Sequence, residues 1–140
     1  MKNILFLCTG NSCRSQMAEG FCRSLQSDKF NGYSAGIKAH GLNPYAIKVM
    51  RESGIDITQQ SSKTLEEIED IEFDYIVTVC DNAERSCPDF PQSNIIHRRF
   101  DDPPALAKYA KDESEVLVHF RQVRDEIKNW VNQLPHELRL

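Results

Sequence analysis

The amino-acid sequence predicts a single α/β domain over residues 1–140, with a four-stranded parallel sheet, helices on both of its faces and a flavodoxin-like winding. Two observations lead to this fold class. Strand-like segments alternate with helix-like segments along the chain, and right-handed crossovers between parallel strands then restrict the topology. The first apolar run, residues 2–8, is nearly continuous, as in a strand that is buried on both faces.

The composition narrows the class of protein. With a net charge of −4 and dispersed arginines, the sequence has no basic patch of the kind that binds nucleic acid. Its N-terminal apolar run is shorter than that of a signal peptide, and no other stretch is long enough to span a membrane. We therefore expect a cytoplasmic monomer without nucleic-acid or membrane partners. Because cytoplasmic thiols stay reduced, the five cysteines indicate chemistry rather than structural disulfides.

The first strand is expected to end at Cys8, and a helix is expected from Ser15 onward. Apolar residues recur at steps of three and four in that helix, which predicts one buried face. The residues on this face are Met17, Ala18, Phe21, Cys22 and Leu25. Cys22 is therefore interpreted as a core residue.

A second, short strand is predicted at residues 31–36, where it ends at a glycine. The next helix begins at Asn43 and Pro44, because asparagine is a favoured N-cap and proline fits the first turn. Gly54 is expected to end this helix. The residues expected to face the core are Ala46, Ile47 and Met50.

The second half of the chain contributes two further strands. A short acidic helix around residues 65–71 precedes a β-branched strand at 74–80, and a fourth strand follows at 94–100. The prolines at 103–104 prevent further pairing after the fourth strand. The last helix is predicted at 114–134, with one apolar face. That face consists of Val116, Phe120, Val123, Ile127, Trp130 and Leu134.

Three of these strands lead to a reactive side chain. Cys8 ends the first strand, Cys80 ends the third, and Asp101 and Asp102 follow the fourth. Ligands of such sheets bind beyond the carboxyl ends of the strands, which meet at one edge. We therefore expect these groups to converge on one site.

The segment between the first strand and the first helix has the composition of an anion-binding loop. Its sequence is Cys8-Thr9-Gly10-Asn11-Ser12-Cys13-Arg14-Ser15. A tight turn into a helix directs backbone N–H groups and the positive end of the helix dipole at one point, which suits a tetrahedral oxyanion. We therefore predict that residues 9–15 bind the substrate. Gly10 is expected to relax the turn, and Asn11 tolerates the left-handed conformation that such a loop often requires.

Within this loop, Cys8 is the candidate nucleophile. The surrounding donors and Arg14 favour its thiolate form, and the Arg14 guanidinium can grip two oxyanion oxygens at once. Ser15 can donate a hydrogen bond to the Cys8 sulfur or cap the helix, and these two roles are compatible. Cys13 is expected to pack without taking part in a chemical step.

The remaining candidates lie farther along the chain. Cys80 and Cys87 do not have the spacing of a zinc site, and no second pair of ligands follows them. Cys80 also suits a buried structural thiol, whereas Cys87, in a loop predicted at 81–93, suits a resolving thiol. Asp102 is either part of a solvated turn or a general acid that protonates a departing oxygen, and we favour the acid. The four histidines lack metal-ligand spacing.

Residues 8–20 resemble the opening of the thioredoxin-coupled arsenate reductases, which share the low-molecular-weight protein tyrosine phosphatase fold. The resemblance continues over nearly the whole chain. It includes Tyr33-Ser34-Ala35-Gly36, His40-Gly41-Leu42-Asn43-Pro44, Gly54-Ile55-Asp56-Ile57, Val77-Thr78-Val79-Cys80, Phe100-Asp101-Asp102-Pro103 and Phe120-Arg121-Gln122-Val123-Arg124-Asp125-Glu126-Ile127. The presence of Cys80 and Cys87 favours a reductase, because a phosphatase needs no second or third thiol.

The resemblance implies a three-cysteine relay that reduces arsenate, with phosphate or sulfate as substrate analogues. Cys8 attacks arsenate, Cys80 then forms a Cys8–Cys80 disulfide as arsenite leaves, and Cys87 converts this bond to a Cys80–Cys87 disulfide. The loop and Asp102 would assist the first step. External thioredoxin would reduce the last disulfide, so no bound cofactor is implied, and the process would serve arsenic detoxification.

Two features depart from the family pattern. Some relatives bind potassium near the loop, and the residues that match their ligands are Asn11, Glu19, Ser34 and Ser61. Lys63 replaces an acidic ligand at this place, and because its ammonium can supply the cation's charge, we expect no metal there. Arg98 and Arg99 stand where the family has Trp-Gly, before the Phe-Asp-Asp-Pro motif.

Two alternatives remain open at this point. The first is a low-molecular-weight tyrosine phosphatase, against which Pro104-Ala105-Leu106 stands where those enzymes have adjacent tyrosines. The second is a non-enzymatic redox switch, in which oxidation of the thiols alters a partner surface.

Overall fold

The computed structural model describes residues 1–81 and 94–138 and contains the expected four-stranded parallel sheet with helices packed on it. The strands, in chain order, are β1 (Lys2–Cys8), β2 (Phe30–Gly36), β3 (Tyr75–Thr78) and β4 (Asn94–His97). Their spatial order is β2-β1-β3-β4, and every neighbouring pair is parallel. Because β1 is an inner strand, its carboxyl end places Cys8 in the middle of the sheet edge.

The helices cover the sheet with their apolar faces. They are α1 (Arg14–Leu25), α2 (Pro44–Glu52), α3 (Pro103–Leu106), α4 (Glu113–Asn132) and α5 (Leu134–Glu137), with a 3-10 helix at Leu65–Ile68. The largest side chains that they and the sheet bury completely include Phe6, Phe21, Phe100, Phe120, Met17 and Met50. Asn43 caps α2 as predicted, since its Oδ1 accepts from the N–H groups of Tyr45 and Ala46 at 2.8 and 3.3 Å.

The strands of the second half are shorter than the sequence predicts. The regular ladder of β3 ends at Thr78 rather than residue 80, and that of β4 ends at His97 rather than residue 100. Two further backbone hydrogen bonds join the segments at the ends of these two strands. They run from Arg98 N–H to Thr78 O at 2.9 Å and from Phe100 N–H to Val79 O at 3.0 Å. Residues 79–80 and 98–100, which were predicted as strand, therefore form irregular backbone that leads toward the predicted site.

Three other details of the elements differ from the predictions. The last helix does not run unbroken over 114–134, because α4 ends at Asn132 and a proline occupies the first turn of α5. Leu25 is 37% exposed rather than buried, since it is the last residue of α1. The helix α3 was not predicted; it is a single turn that begins where Asp102 precedes the two prolines.

An ion-pair cluster fastens α2 to α4 on the surface. The Arg121 guanidinium donates to both carboxylate oxygens of Glu52, at 2.9 and 2.8 Å, and Arg124 donates to Glu52 Oε1 at 2.9 Å. Arg124 also donates to the Val49 carbonyl at 3.0 Å. The hydrogen bond from Arg121 is the main cause that lowers the pKa of Glu52 from 4.5 to about 2.

We expect Glu52→Gln to lower the free energy of unfolding at pH 7 by about 1 kcal/mol, a small value because the cluster is partly exposed. The pKa of Glu52 is lower in the folded protein than in the unfolded chain, so its carboxylate stabilises the fold at pH values above 4.5. This contribution is lost as the pH falls from 4.5 to about 2. Urea unfolding of both proteins at pH 7 and pH 3 measures the difference. The matched control is Glu113→Gln, which removes a single exposed pair with Lys48. A difference that is independent of pH would contradict the assignment.

Candidate active site

The loop at residues 8–15 turns its carbonyl groups away from the predicted anion position. The carbonyl oxygens of Cys8, Thr9, Gly10 and Ser12 accept hydrogen bonds from the N–H groups of Ile37, Lys38, His40 and Asn43, respectively, at 2.9 to 3.2 Å. Because C=O and N–H point in opposite directions across a trans peptide, this arrangement leaves the other side of the loop to its N–H groups. The segment 37–43 thereby orients the loop for an anion.

The backbone of the loop confirms the conformation predicted for Asn11 and gives Gly10 a role that differs from the predicted one. Asn11 has a φ of 50°, the left-handed conformation that was expected of it. Gly10 does not have a positive φ, and its importance is steric. A Cβ atom on Gly10 would collide with the imidazole of His40 and lie 2.9 Å from its Cγ. Gly36 is similarly crowded, since a Cβ there would lie 2.8 Å from Asn11 N and from Thr9 O.

A chain of hydrogen bonds leads to the sulfur of Cys8. The Lys63 N–H and the Gln16 side-chain amide both donate to Asn11 Oδ1, at 2.9 and 3.0 Å, which fixes the orientation of the Asn11 amide. Asn11 Nδ2 must then donate to Ser15 Oγ, at 2.9 Å. With its oxygen serving as an acceptor, Ser15 directs its own proton to Cys8 Sγ, which lies 2.8 Å away. The predicted Ser15–Cys8 contact is therefore present, and a charged sulfur is its best acceptor.

We expect Ser15→Ala to slow alkylation of Cys8 by iodoacetamide at pH 7 by about ten- to a hundredfold, the usual effect of losing a hydrogen bond to a charged group. Fragment-ion mass spectrometry locates the label on Cys8. Ser12→Ala is the matched control, because the Ser12 hydroxyl lies 3.8 Å from the Cys13 sulfur and is not placed on Cys8. Equal rates in the two variants would show that the Ser15 hydroxyl does not activate Cys8.

Arg14 and Asp102 lie together beside the loop, as the convergence of strand ends predicts. Arg14 begins α1, its Nη1 donates to the Phe100 carbonyl at 3.0 Å, and its Nη2 lies 3.5 Å from Asp102 Oδ1. The Arg14 side chain is 13% exposed and the Asp102 side chain 43% exposed. The carboxylate of Asp102 therefore remains in contact with solvent.

The structure also brings Cys80 to the loop. Its sulfur is 3.2 Å from the hydroxyl of Thr9, the residue next to Cys8, and only 5% of Cys80 is exposed. Pairing of β1 with β3 explains this position, because Val79 N–H donates to the Leu7 carbonyl at 2.9 Å immediately before the two cysteines. The position of Cys80 at this edge follows from the strand pattern, whereas its contact with the Thr9 side chain has no signal in the sequence. Cys87, with any disulfide to it, lies outside the described residues.

Two further cysteines are structural. Burial raises the pKa of Cys13 to about 12, and burial likewise raises the pKa of Cys22 to about 12. Both thiols therefore stay protonated at neutral pH. These positions agree with the predictions that Cys13 packs and that Cys22 belongs to the buried face of α1.

Two of the residues that match potassium ligands, Glu19 and Ser61, lie against the Lys63 ammonium. Glu19 is buried, and its Oε1 accepts from Ser34 Oγ at 2.6 Å and lies 3.9 Å from Lys63 Nζ. Lys63 Nζ donates to the Ser61 carbonyl at 2.8 Å, and burial lowers the pKa of Lys63. Within residues 1–81 and 94–138, no cluster of three His, Cys, Asp or Glu side chains could hold a metal. That potassium does not bind here stays a prediction, supported by these ammonium contacts.

Taken together, the fold and the site define a class of protein. A cysteine ends a parallel strand, an arginine begins the next helix, and the loop between them turns its carbonyl groups away and leaves one side to its backbone N–H groups. This is the arrangement of an enzyme that attacks a tetrahedral oxyanion through a thiol.

Among the described residues, none of the helices combines the length and the apolar character that a membrane span requires.

Comparison with known proteins places the chain within this class. The family model of the low molecular weight phosphotyrosine protein phosphatases matches residues 3–140. The chain belongs to this family. A solved structure with a TM-score of 0.81 and 32% identity, covering 98% of both chains, is described as an arsenate reductase in the phosphate-binding state.

Curated relatives are more similar in sequence. The chain is 48% identical to arsenate reductase 1 of Staphylococcus epidermidis over 139 residues, which covers 98% of each protein. It is 50% identical to an arsenate reductase of Bacillus licheniformis over 127 residues, covering 90% of this chain and 89% of the relative.

Proposed function

We propose that the chain is an arsenate reductase that uses a thiol relay. The observation that carries this proposal is the second thiol at the loop, the Cys80 sulfur 3.2 Å from the hydroxyl of Thr9, the residue that follows the nucleophile Cys8. Reduction of arsenate to arsenite requires two electrons, which two thiols supply when they form a disulfide. The arsenate reductases among its relatives support the same reaction and the same oxyanion substrate.

In the first step, the Cys8 thiolate attacks arsenic and forms a sulfur–arsenic bond, while one arsenic–oxygen bond breaks. Ser15 stabilises the thiolate, and Arg14 together with the loop N–H groups neutralises the charge of the oxyanion. Asp102 delivers a proton to the departing oxygen, which leaves as water. The product is a Cys8–arsenate adduct held by the loop.

In the second step, the Cys80 thiolate attacks the Cys8 sulfur. The electron pair of the sulfur–arsenic bond passes to arsenic, which is reduced and leaves as arsenite, while a Cys8–Cys80 disulfide forms. Cys87 then attacks Cys80, frees Cys8 and forms a Cys80–Cys87 disulfide. Thioredoxin then reduces this disulfide, so the proposed relay operates in the reducing cytoplasm. The protein itself needs no bound cofactor in this scheme.

The decisive experiment is single turnover of Cys87→Ser with arsenate, followed by disulfide mapping by mass spectrometry. We expect about one arsenite per protein and a trapped Cys8–Cys80 disulfide, because the exchange that frees Cys8 cannot occur. The wild-type protein with thioredoxin is the control and is expected to turn over repeatedly. If Cys87→Ser turns over normally with thioredoxin, the three-thiol relay is wrong.

Phosphate-ester hydrolysis is the second candidate activity, and the family match favours it. Phosphate and arsenate have nearly the same shape, so Cys8, Arg14 and Asp102 also form a complete phosphatase site. Hydrolysis of p-nitrophenyl phosphate without any arsenite from arsenate would make the phosphatase the correct function. A protein that does neither, yet forms disulfides with peroxide, would instead be a redox switch.

A further inference from the structure

One guanidinium joins the two segments that carry the reactive groups on either side of the loop. Arg99 Nε lies 3.1 Å from Asp81 Oδ2, and Arg99 Nη1 lies 2.9 Å from Asp101 Oδ1. Asp81 directly follows Cys80, and Asp101 directly precedes Asp102. The Asp81–Arg99–Asp101 bridge therefore connects the neighbours of the resolving thiol and of the proposed acid.

The neighbouring arginine has different contacts. The guanidinium carbon of Arg98 lies 4.2 Å from the centre of the Phe100 ring, and its Nη1 donates to the Arg99 carbonyl. Its position over an aromatic ring allows a cation–π interaction. Arg98 thus covers the core residue Phe100, whereas Arg99 alone spans the two aspartates. The two arginines form a natural pair of test and control.

We propose that Arg99 is a positioning residue. Through Asp81 it holds Cys80 against the loop at residues 8–15, and through Asp101 it connects Cys80 to the segment that carries Asp102. The role rests on the proposed function, because it matters for the step in which Cys80 attacks Cys8. Cys80 is 5% exposed, so alkylation of its sulfur requires Cys80 to move out of its buried position. The bridge opposes this movement by fixing the side chain of the next residue, Asp81.

The same bridge also gives the two neighbouring aspartates, Asp101 and Asp102, different cationic partners. Arg99 neutralises Asp101, which leaves Asp102 as the carboxylate next to Arg14, at 3.5 Å. The planar guanidinium suits this task, since it can donate in two directions at once, which a lysine ammonium on a flexible stem does less well. We therefore expect lysine at this position to retain the charge but only part of the effect.

Alkylation of Cys80 by iodoacetamide tests the bridge without arsenate. Trypsin cleavage at Arg85 places Cys80 and Cys87 in different peptides, so each label can be followed separately. We expect Arg99→Ala to accelerate alkylation of Cys80 about threefold at low salt, in line with two exposed ion pairs, and Arg99→Lys to give an intermediate rate. The acceleration should disappear in about 1 M salt, where the charges are screened. Arg98→Ala should leave the rate unchanged.

A double-mutant cycle assigns the effect to the aspartate partner. Asp81→Asn is expected to accelerate alkylation in the wild-type background and to have no further effect when Arg99 is already alanine. Additive effects of the two substitutions would overturn the proposal. So would an unchanged rate in Arg99→Ala, or an equal acceleration in Arg98→Ala.

Turnover of arsenate provides the second readout. Arg99→Ala should lower kcat about threefold and leave KM for arsenate unchanged, because it affects the attack by Cys80 and not the binding of the anion. A raised KM with unchanged kcat would mean that Arg99 acts by attracting the anion, and would overturn the positioning role. If the wild-type protein makes no arsenite, the proposed function fails, whereas the alkylation result still decides whether the bridge holds Cys80.

Discussion

Replacing Cys8 with serine is expected to abolish arsenite formation, lowering the rate by about a thousandfold or more. The serine hydroxyl is a far weaker nucleophile than a thiolate. A serine oxygen also cannot form the disulfide that carries the two electrons. Quantification of arsenite after incubation with arsenate and a thioredoxin system measures this effect.

The same variant should still bind the anion. Arg14 and the N–H groups of residues 8–15 are unchanged, so the affinity for phosphate measured by calorimetry is expected to stay within about threefold of wild type. This control separates loss of chemistry from loss of folding. Arsenite production at a tenth of the wild-type rate or more would show that another group attacks arsenate.

The sequence predicted those parts of the molecule that depend on local patterns. The uninterrupted apolar run before Cys8 identified an inner parallel strand, and the spacing of apolar residues identified the buried face of α1. The Asn43 cap and the left-handed Asn11 followed from residue type alone. The convergence of Cys8, Cys80 and Asp102 also followed, because parallel strands share one carboxyl edge.

Contacts between distant residues could not be predicted in this way. Thr9 and Cys80 are 71 residues apart, Asn11 and the Lys63 N–H are 52 residues apart, and the partners have no shared periodicity. Whether they meet depends on the order and register of the strands and on the path of the intervening loops. The ends of β3 and β4 were wrong for a related reason, since apolar character marks burial and not the extent of the hydrogen-bonded ladder.

A single additional thiol separates two activities of the same loop. Water hydrolyses the thiol adduct in a phosphatase, whereas in a reductase a second sulfur attacks before water does. Cys80 lies against Thr9 with 5% of the residue exposed, which shields its sulfur from solvent. In the relay proposed above, this second sulfur would attack the arsenic adduct before water does, because arsenic accepts the electron pair readily.

Replacing Cys80 with serine should separate these two activities. Arsenite formation is expected to fall by about a hundredfold or more, because no sulfur can then attack Cys8 in the adduct. Hydrolysis of p-nitrophenyl phosphate should stay within about threefold of wild type, because Cys8, Arg14 and Asp102 are untouched and the serine hydroxyl can still bond with Thr9. Parallel assays on one preparation measure both.

The pattern of the two activities decides what Cys80 does. Loss of arsenite with hydrolysis retained assigns the electron-transfer step to Cys80, since a collapsed loop would lose both reactions. Retention of arsenite formation would mean that another thiol resolves the adduct directly. Loss of both would make Cys80 a packing residue of the sheet edge, because the hydrolytic reaction requires no second sulfur and depends only on the shape of the loop.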